Sequence, residues 1–290
     1  MPRWPWRPPG TAPVPSLVLV RDARAIDLAT VLAFCRQQPV DAALLGEHVE
    51  AMVTGPQLRD QLLCVSAPDG LQGLCWTGGN MVPLGIPTPL MSEVAAEVRH
   101  RNRRYSSIVG PAEGVMALWE QLEPTSPRPR DVRPDQPSMM ISSDPLVEPD
   151  PLVRLTTEAD IDVLMPACVS MFTEEVGYSP LSIGGGYERR VRSLVAGKRS
   201  LARIEEGRVV FKAELGTVAL GVTQVQGVWV EPELRGRGLA RAGMAAVVAH
   251  ARAHVAPVVS LYVNSYNTAA IAAYDAVGFR RVGTFATVLF

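Results

Sequence analysis

Hydrophobic and polar positions along this chain predict short strands separated by helices. The β-branched run 226–230 is typical of a strand, and 258–263 is typical of a strand that is buried on both faces. Alanine- and valine-rich sequence at Leu239–His254 predicts a helix. Asn267 is placed to cap a further helix that runs to Val277. This order of elements predicts an α/β fold, a sandwich of helices on a mixed central sheet.

Two segments predict β-hairpins, one in each half of the chain. The first, 63–76, has Asp-Gly at its turn, and the second is 200–215. Before each hairpin the sequence predicts a short strand and two helices, and segments 20–28 and 155–163 share one pattern of apolar and acidic residues. We interpret this as a duplication limited to a strand–helix–helix–hairpin opening, after which the two halves are expected to differ.

Segments rich in proline and charged residues mark the predicted domain boundaries of the chain. Residues 1–15 are rich in proline and arginine and are predicted to be a disordered or loose leader. Residues 16–123 are predicted to be an N-terminal α/β domain and 151–290 a second domain. Between them, 124–150 is predicted to be a proline-rich linker that resists helix and central strand, although 138–142 could form a short strand.

Composition narrows the function classes. The 290 residues carry a formal net charge of −1, which gives no global field for nucleic acid or an anionic membrane, and no segment reaches the roughly 20 apolar residues of a membrane helix. The basic run 99–104 is interpreted as a solvated face. The four cysteines lie in apolar stretches and form no CxxC pair, and the four histidines have no ligand spacing with them. We therefore expect reduced thiols, a cytoplasmic protein and no metal site.

The candidate chemistry begins at a glycine-rich loop, Arg235-Gly-Arg-Gly-Leu-Ala240, between a predicted strand and a predicted helix. The first N–H groups of a helix have no internal partner, and the helix dipole favours an anion there. Glycines let the backbone approach phosphate closely, and Arg235 and Arg237 add positive charge. The loop is therefore predicted to hold a pyrophosphate.

The second half resembles the GNAT (GCN5-related N-acetyltransferase) superfamily. The family's acyl-CoA motif, Arg/Gln-x-x-Gly-x-Gly/Ala after a strand, is matched by Arg235, Gly238 and Ala240. Its second signature, Asn-x-x-Ala-x-x-x-Tyr-x-x-x-Gly-Phe, is matched by Asn267, Ala270, Tyr274, Gly278 and Phe279. The resemblance covers about residues 150–290 and implies a GNAT fold with a mixed sheet flanked by helices. The first half lacks both motifs and resembles at most a degenerate GNAT unit, as in tandem GNAT proteins of actinobacterial type.

The resemblance implies an acetyl-CoA-dependent N-acetyltransferase that acts on a primary amine. The implied cofactor contacts are Val228, Trp229, Val230, Arg235, Gly236, Arg237, Gly238, Leu239, Ala240 and Asn267. Tyr274 is expected to assist the leaving sulfur, while Glu214 and Glu231 are the candidate general bases. Glu174, Glu175 and Tyr178 lie where the family binds its acceptors and could attract a cationic amine.

Two other classes of function stay open. One is a non-catalytic acyl-CoA-binding regulatory module, which would keep the glycine-rich loop without turning over an acceptor. The other is a partner-binding scaffold whose surface is the basic run and the proline-rich leader. The sequence does not identify the acceptor amine or the oligomeric state.

Overall fold

The computed structural model describes residues 19–23, 26–183 and 185–290, so the predicted leader, 1–15, lies outside the described residues. The helices are α1 (Leu28–Arg36), α2 (Pro39–Ala51), α3 (Met91–Arg101), α4 (Ala112–Leu122), α5 (Ile161–Val176), α6 (Gly186–Ala196), α7 (Leu239–His254) and α8 (Thr268–Val277). The strands are β1 (Leu19–Asp22), β2 (Leu62–Ala67), β3 (Gly70–Thr77), β4 (Asn80–Leu84), β5 (Ser107–Pro111), β6 (Asp131–Ile141), β7 (Arg154–Leu155), β8 (Ser200–Glu205), β9 (Arg208–Ala219), β10 (Val222–Val230), β11 (Val258–Tyr262) and β12 (Arg280–Leu289).

The chain runs twice through one order of elements: strand, two helices, three strands, helix, strand, helix, strand. The first pass ends at β6 and the second at β12. The predicted repeated opening, including both hairpins, is confirmed by this order. The expectation that the halves differ after the hairpins is wrong, because β4-α3-β5-α4-β6 matches β10-α7-β11-α8-β12 element for element.

The described strands form a single twelve-stranded mixed sheet, in the order β1-β2-β3-β4-β5-β12-β6-β11-β10-β9-β8-β7. The last strands of the two passes have exchanged places. β12 pairs with β5 of the first pass, β6 pairs with β11 of the second, and β6 and β12 pair with each other. Each half of the sheet is therefore completed by a strand from the other half.

This exchange corrects the linker prediction for 124–150, since β6 lies in that segment and at the centre of the sheet. Its prolines are tolerated for local reasons. Pro134 lies where the pairing of β6 with β12 shifts register, and bulges accept proline. Pro137 lies just beyond the residues of β6 that pair with β11, which begin at Ser138. The division into separate domains near this segment stays a prediction.

Helices cover both faces of the sheet. The buried clusters show that α1, α2, α5 and α6 pack on one face, here called the front face. α3, α4, α7 and α8 pack on the opposite, back face. Successive side chains of a strand point to opposite faces, so one strand contributes to buried clusters on both sides of the sheet. Leu261, for example, lies in a cluster on the back face and its neighbour Tyr262 packs on the front face.

The two halves also contact through helix α2, which packs on β9 and β10 of the second half. Glu50 accepts a hydrogen bond from the Leu220 N–H at 3.1 Å, and Glu47 forms an ion pair with Arg199 at 2.9 Å. All four cysteines are free and buried, as expected for reduced thiols. Among the described helices, none has the length and apolar character needed to cross a membrane.

Candidate functional site

Strands β10 and β11 separate partway along their length. They pair in parallel only where Val222–Gln224 faces Val258–Ser260, and β10 then continues to Val230 without this neighbour. Trp229 and Val230 still pair with β9 on the other side. One edge of β10 at 225–230 is therefore open to an extended arm that can pair as an added strand. The predicted backbone contacts Val228, Trp229 and Val230 lie on this edge.

A bulge lies in the open part of β10. Gln226 pairs with Glu214 and Trp229 pairs with Lys212, so three steps along β10 correspond to two along β9. Gly227 lies in the bulge with φ +60°, a conformation that L side chains rarely adopt. Bulges turn backbone groups out of the regular ladder, which here happens beside the opening between β10 and β11.

The glycine-rich loop leads from β10 into α7. Gly236 and Gly238 have φ of +77° and +80°, and Gly238 is the residue before the helix. Within the described residues, the N–H groups of 236–240 make no hydrogen bond. A Cβ built on Gly236 would meet nothing within 4 Å. Free donors, an open approach and a helix N-terminus are what a phosphate group requires.

The arginines of the loop have protein partners. Arg235 donates to the Val230 carbonyl at 3.1 Å and forms an ion pair with Glu174 at 2.6 Å. Glu174 also accepts from the Trp229 indole N–H at 3.1 Å. Arg237 donates to a backbone carbonyl at 3.4 Å. Glu174 therefore ties the end of α5 to the loop, and its charge is already matched by an arginine.

Tyr274 is buried against the sheet from α8, with its ring 5.9 Å from that of Phe279. Burial raises the pKa of Tyr274 far above its ordinary value, and the carboxylate of Glu175 raises it further. Among the side-chain hydrogen bonds of the described residues, including those of the neighbouring Asn264 and Asn267, none involves the Tyr274 hydroxyl. Tyr274 is therefore a protonated hydroxyl that can donate a hydrogen bond.

A polar network lies at the open end of β11. Glu175 accepts from Asn264 at 3.0 Å and pairs with Arg133, which also donates to the Glu175 backbone carbonyl at 2.7 Å. Asn264 in turn accepts from Gln136 at 2.9 Å. Arg133 and Gln136 belong to β6, so the strand from the first half supplies part of this network. The Arg130 guanidinium carbon lies over the Tyr178 ring, 4.2 Å from the ring centroid.

Glu214 lies on the front face of β9, in a buried ion pair. Its carboxylate accepts from Lys212 at 2.8 Å and from Gln226 at 3.2 Å. Burial raises the pKa of Glu214, but the Lys212 ammonium, the hydrogen bond from Gln226 and the charge of Arg190 together outweigh burial and hold the pKa below its ordinary value. A carboxylate stabilised in its charged form is a weak proton acceptor. The structure therefore weakens the case for Glu214 as the general base.

Glu231 and Asn267 lie at element ends. Glu231 follows β10 and is half-buried, and the described residues record no hydrogen bond to its carboxylate. Asn267 is exposed and caps α8 by accepting from the Ala270 N–H at 3.1 Å, which confirms the predicted cap. Its amide N–H groups have no protein partner within the described residues.

Sequence reasoning missed Lys212, Arg133, Gln136 and Asn264. The sequence holds a signal for Lys212, because a Lys-x-Glu pair in an apolar strand places two charges on one buried face. The sequence holds no such signal for Arg133. Its partner Glu175 lies 42 residues away, and its strand lies in the segment predicted to be a linker.

Comparison with known proteins agrees with this geometry. Residues 188–279 match the model of the acetyltransferase (GNAT) family, and 61–164 match a domain of unknown function (DUF4081). The fold is similar to a GCN5-related N-acetyltransferase from Sphaerobacter thermophilus, at a TM-score of 0.56 and 19% identity over 95% of this chain and 96% of the other. It is also similar to a tandem GNAT protein from the clavulanic acid biosynthesis pathway, at 0.50 and 14% over 93% and 97%.

A curated relative, anthranilate phosphoribosyltransferase from Sphingopyxis alaskensis, is 33% identical over 126 residues, or 39% of this chain. This chain spans 38% of the length of that relative. At identities below 25%, the solved structures show the fold alone. The family match instead covers residues 188–279, from α6 through the loop and α8 to Phe279. The matched part of the chain, residues 188–279, therefore belongs to the GNAT acetyltransferase family, whose members transfer acyl groups from acyl-CoA.

Proposed function

We propose that this protein is an acetyl-CoA-dependent N-acetyltransferase that acetylates a primary amine on a small molecule or a protein. One observation carries the proposal: the N–H groups of 236–240, which have no partner among the described residues, lie at the N-terminus of α7, next to the open edge of β10. The first feature suits a pyrophosphate and the second suits the extended pantetheine arm of the same molecule.

The residue roles follow from this placement. The backbone of 228–230 pairs with the arm, and residues 235–240 hold the pyrophosphate, mainly through their backbone because Arg235 is already paired with Glu174. Asn267 offers its free amide to the arm or the acceptor. The amine nitrogen attacks the thioester carbonyl, the carbon–sulfur bond breaks, and the sulfur leaves as thiolate. Tyr274 donates a hydrogen bond to that thiolate, and its raised pKa favours this over full proton transfer.

Glu231 is our choice for the general base, acting directly or through a water. It ends the strand that holds the arm, and no cation among the described residues pairs with its carboxylate. Glu214 is the alternative, but the Lys212 ammonium lowers its pKa. The amine is the one partner we propose, with no nucleic acid or membrane. The buried, free cysteines favour the reducing cytoplasm.

The test compares two glycines with the same backbone. Gly236 and Gly207 have φ of +77° and +72°, and a Cβ on either meets nothing within 4 Å, but only Gly236 lies in the loop. Gly236→Glu is expected to lower acetyl-CoA affinity roughly 100-fold, about 2.7 kcal/mol, because a carboxylate enters the phosphate site. Gly207→Glu carries the same backbone strain and is expected to leave affinity unchanged. Titration calorimetry measures both, and equal affinity in the two variants would refute the proposed site.

A non-catalytic acyl-CoA-binding module is the second candidate, favoured by the pairing of Glu214 with Lys212. It predicts saturable acetyl-CoA binding with no release of free thiol in the presence of any amine. A thiol-release assay over a panel of polyamines, amino acids, aminoglycosides and peptide amines separates the two. If acetyl-CoA does not bind at all, both candidates fail and the partner-binding scaffold is left.

A further inference from the structure

Lys212 is a fully buried cation in the middle of strand β9. Its exposed fraction is 0%, and that of Glu214, two residues later on the same face, is 5%. Removing two charges from water is costly, and their attraction seldom gives a net gain in stability over apolar side chains of similar volume. A buried ion pair in a sheet of apolar residues therefore requires an explanation other than stability.

The contacts of Lys212 lead to the bulge in β10. Its ammonium donates to Glu214 at 2.8 Å and to the backbone carbonyl of Gly227 at 2.9 Å. Glu214 accepts from Gln226, the residue before that glycine, at 3.2 Å. The Cys168 thiol of α5 lies 3.7 Å from the same carboxylate. The Lys212–Glu214 pair therefore makes hydrogen bonds from the front face to two consecutive residues of the bulge, Gln226 and Gly227.

The backbone of the bulge rests directly on the pair. A Cβ built on Gly227 would lie 3.0 Å from a Glu214 oxygen and 3.1 Å from the Lys212 nitrogen. A trans peptide directs its C=O and N–H to opposite sides. The bond from Lys212 to the Gly227 carbonyl therefore fixes the Val228 N–H in the direction that points away from Lys212. This peptide lies where β10 has no β11 neighbour.

We propose that Lys212 and Glu214 are positioning residues that hold the Gly227–Val228 peptide so that its N–H is directed at the reacting thioester carbonyl. This rests on the proposed function, and it replaces the role of base for Glu214 with one that acts through the backbone. A fixed donor is ready where charge develops and needs no reorganisation during the reaction. Lys212 keeps Glu214 charged, and Glu214 keeps the Lys212 ammonium within hydrogen-bond distance of the Gly227 carbonyl.

The decisive variant replaces both charges at once with apolar side chains of similar volume, Lys212→Met with Glu214→Leu. Such replacements usually preserve folding, whereas a single change strands a buried charge. We expect acetyl-CoA affinity within about threefold of the native value, since residues 236–240 are untouched, and kcat lower by roughly 10- to 100-fold. The expected signature is thus a loss in kcat with little change in binding.

A matched control is the pair Arg203–Asp150, in which Asp150 is also buried. Arg203 bonds to Asp150 and Glu205 and makes no side-chain hydrogen bond to β10. Arg203→Met with Asp150→Leu is expected to leave kcat unchanged. If the Lys212/Glu214 double variant is folded and keeps the native kcat, the positioning role is refuted.

Glu214→Gln separates positioning from proton abstraction, because the amide oxygen can still accept the hydrogen bond from Lys212 but cannot act as a base. If Glu214 is the base, the acid limb of the pH profile of kcat/KM disappears in this variant. If it positions the bulge, that limb stays and only the plateau falls. Amide hydrogen exchange at 226–229 gives a readout without turnover: faster exchange in the double variant than in the control pair supports the proposal even where no acceptor is known. Unchanged exchange contradicts it, whatever becomes of the proposed acetyl transfer.

Discussion

The junctions β4–α3 and β10–α7 occupy the same place in the two passes of the chain, and they differ in what their backbones offer. After β10, the N–H groups of 236–240 are unpartnered within the described residues. After β4, the corresponding stretch is Gly85-Ile-Pro-Thr-Pro-Leu90, in which two prolines carry no N–H. The Leu90 N–H is bonded to the Pro87 carbonyl at 2.9 Å. One junction can bind an anion and the other has few donors left.

The first junction is also filled by side chains. Ile86 and Leu90 are buried in the core on the back face. A Cβ on Gly73 of β3 would lie 2.7 Å from the Ile86 Cα, so the neighbouring strand closes against this loop. β4 and β5 share only two paired positions and thus also separate early. The strands separate in both halves, and in the first half the buried side chains of Ile86 and Leu90 fill the junction that follows.

The helix that follows shows a similar contrast. Tyr274 is the seventh residue after Asn267, which caps α8, and Leu118 is the seventh after Pro111, which precedes α4. Leu118 is fully buried. At these positions, the first half has apolar residues or proline where the second has groups that donate hydrogen bonds. One fold can therefore present hydrogen-bond donors in one half and apolar side chains in the other through changes at a few positions.

Removing the Tyr274 hydroxyl tests the side-chain part of this contrast between the two halves. Tyr274→Phe makes the position apolar, as in the first half, and is expected to lower kcat roughly 100-fold, at the lower end of acid assistance, because the raised pKa limits proton transfer. Acetyl-CoA affinity and stability are expected to stay near native values, since the hydroxyl has no recorded partner in the described structure. Single-turnover kinetics with calorimetry measure these quantities. A native kcat in the variant would leave Tyr274 as a core residue.

A proline placed in the β10–α7 junction tests the contribution of one backbone N–H group to acetyl-CoA binding. The Ala240 N–H lies in the first turn of α7, where it has no helix partner and where proline is tolerated. Ala240→Pro is expected to weaken acetyl-CoA binding about tenfold, or 1.4 kcal/mol, by removing one donor to a charged group. Ala240→Gly keeps the donor and is the matched control for helix propensity. Equal affinities in the two variants would show that this N–H does not contact the ligand.

The sequence predicted the elements of the second half well because their signals are local. The helix Leu239–His254 ends before a proline, and the helix after Asn267 has both its cap and a terminating glycine, Gly278, with φ +108°. The loop glycines were found for a similar reason, since positive φ and close phosphate approach both favour glycine.

The exchange of β6 and β12 could not be predicted in this way. Its evidence lies in pairings such as Ser138 with Tyr262, more than 120 residues apart, and the prolines of β6 argue locally against a strand. The same distance hid Arg133 from Glu175. Site residues on one loop or helix were accessible to sequence reasoning, whereas contacts made by packing β6, α5 and β11 together were not.

Replacing a proline of the β4–α3 junction is expected to have the smallest effect, a modest loss of stability. Pro87 has φ −58°, which other residues also adopt, so Pro87→Ala creates no strain and restores one N–H. We expect a loss of about 0.4–1 kcal/mol in unfolding free energy, because alanine gives the unfolded chain more freedom. Urea unfolding should show a lower midpoint with an unchanged slope. Because Ile86 and Leu90 still fill the junction, acetyl-CoA should bind at one site per chain, as we propose for the native protein. A second binding event in Pro87→Ala would mean that the missing donor alone silences the first half, and that the packing around it does not matter.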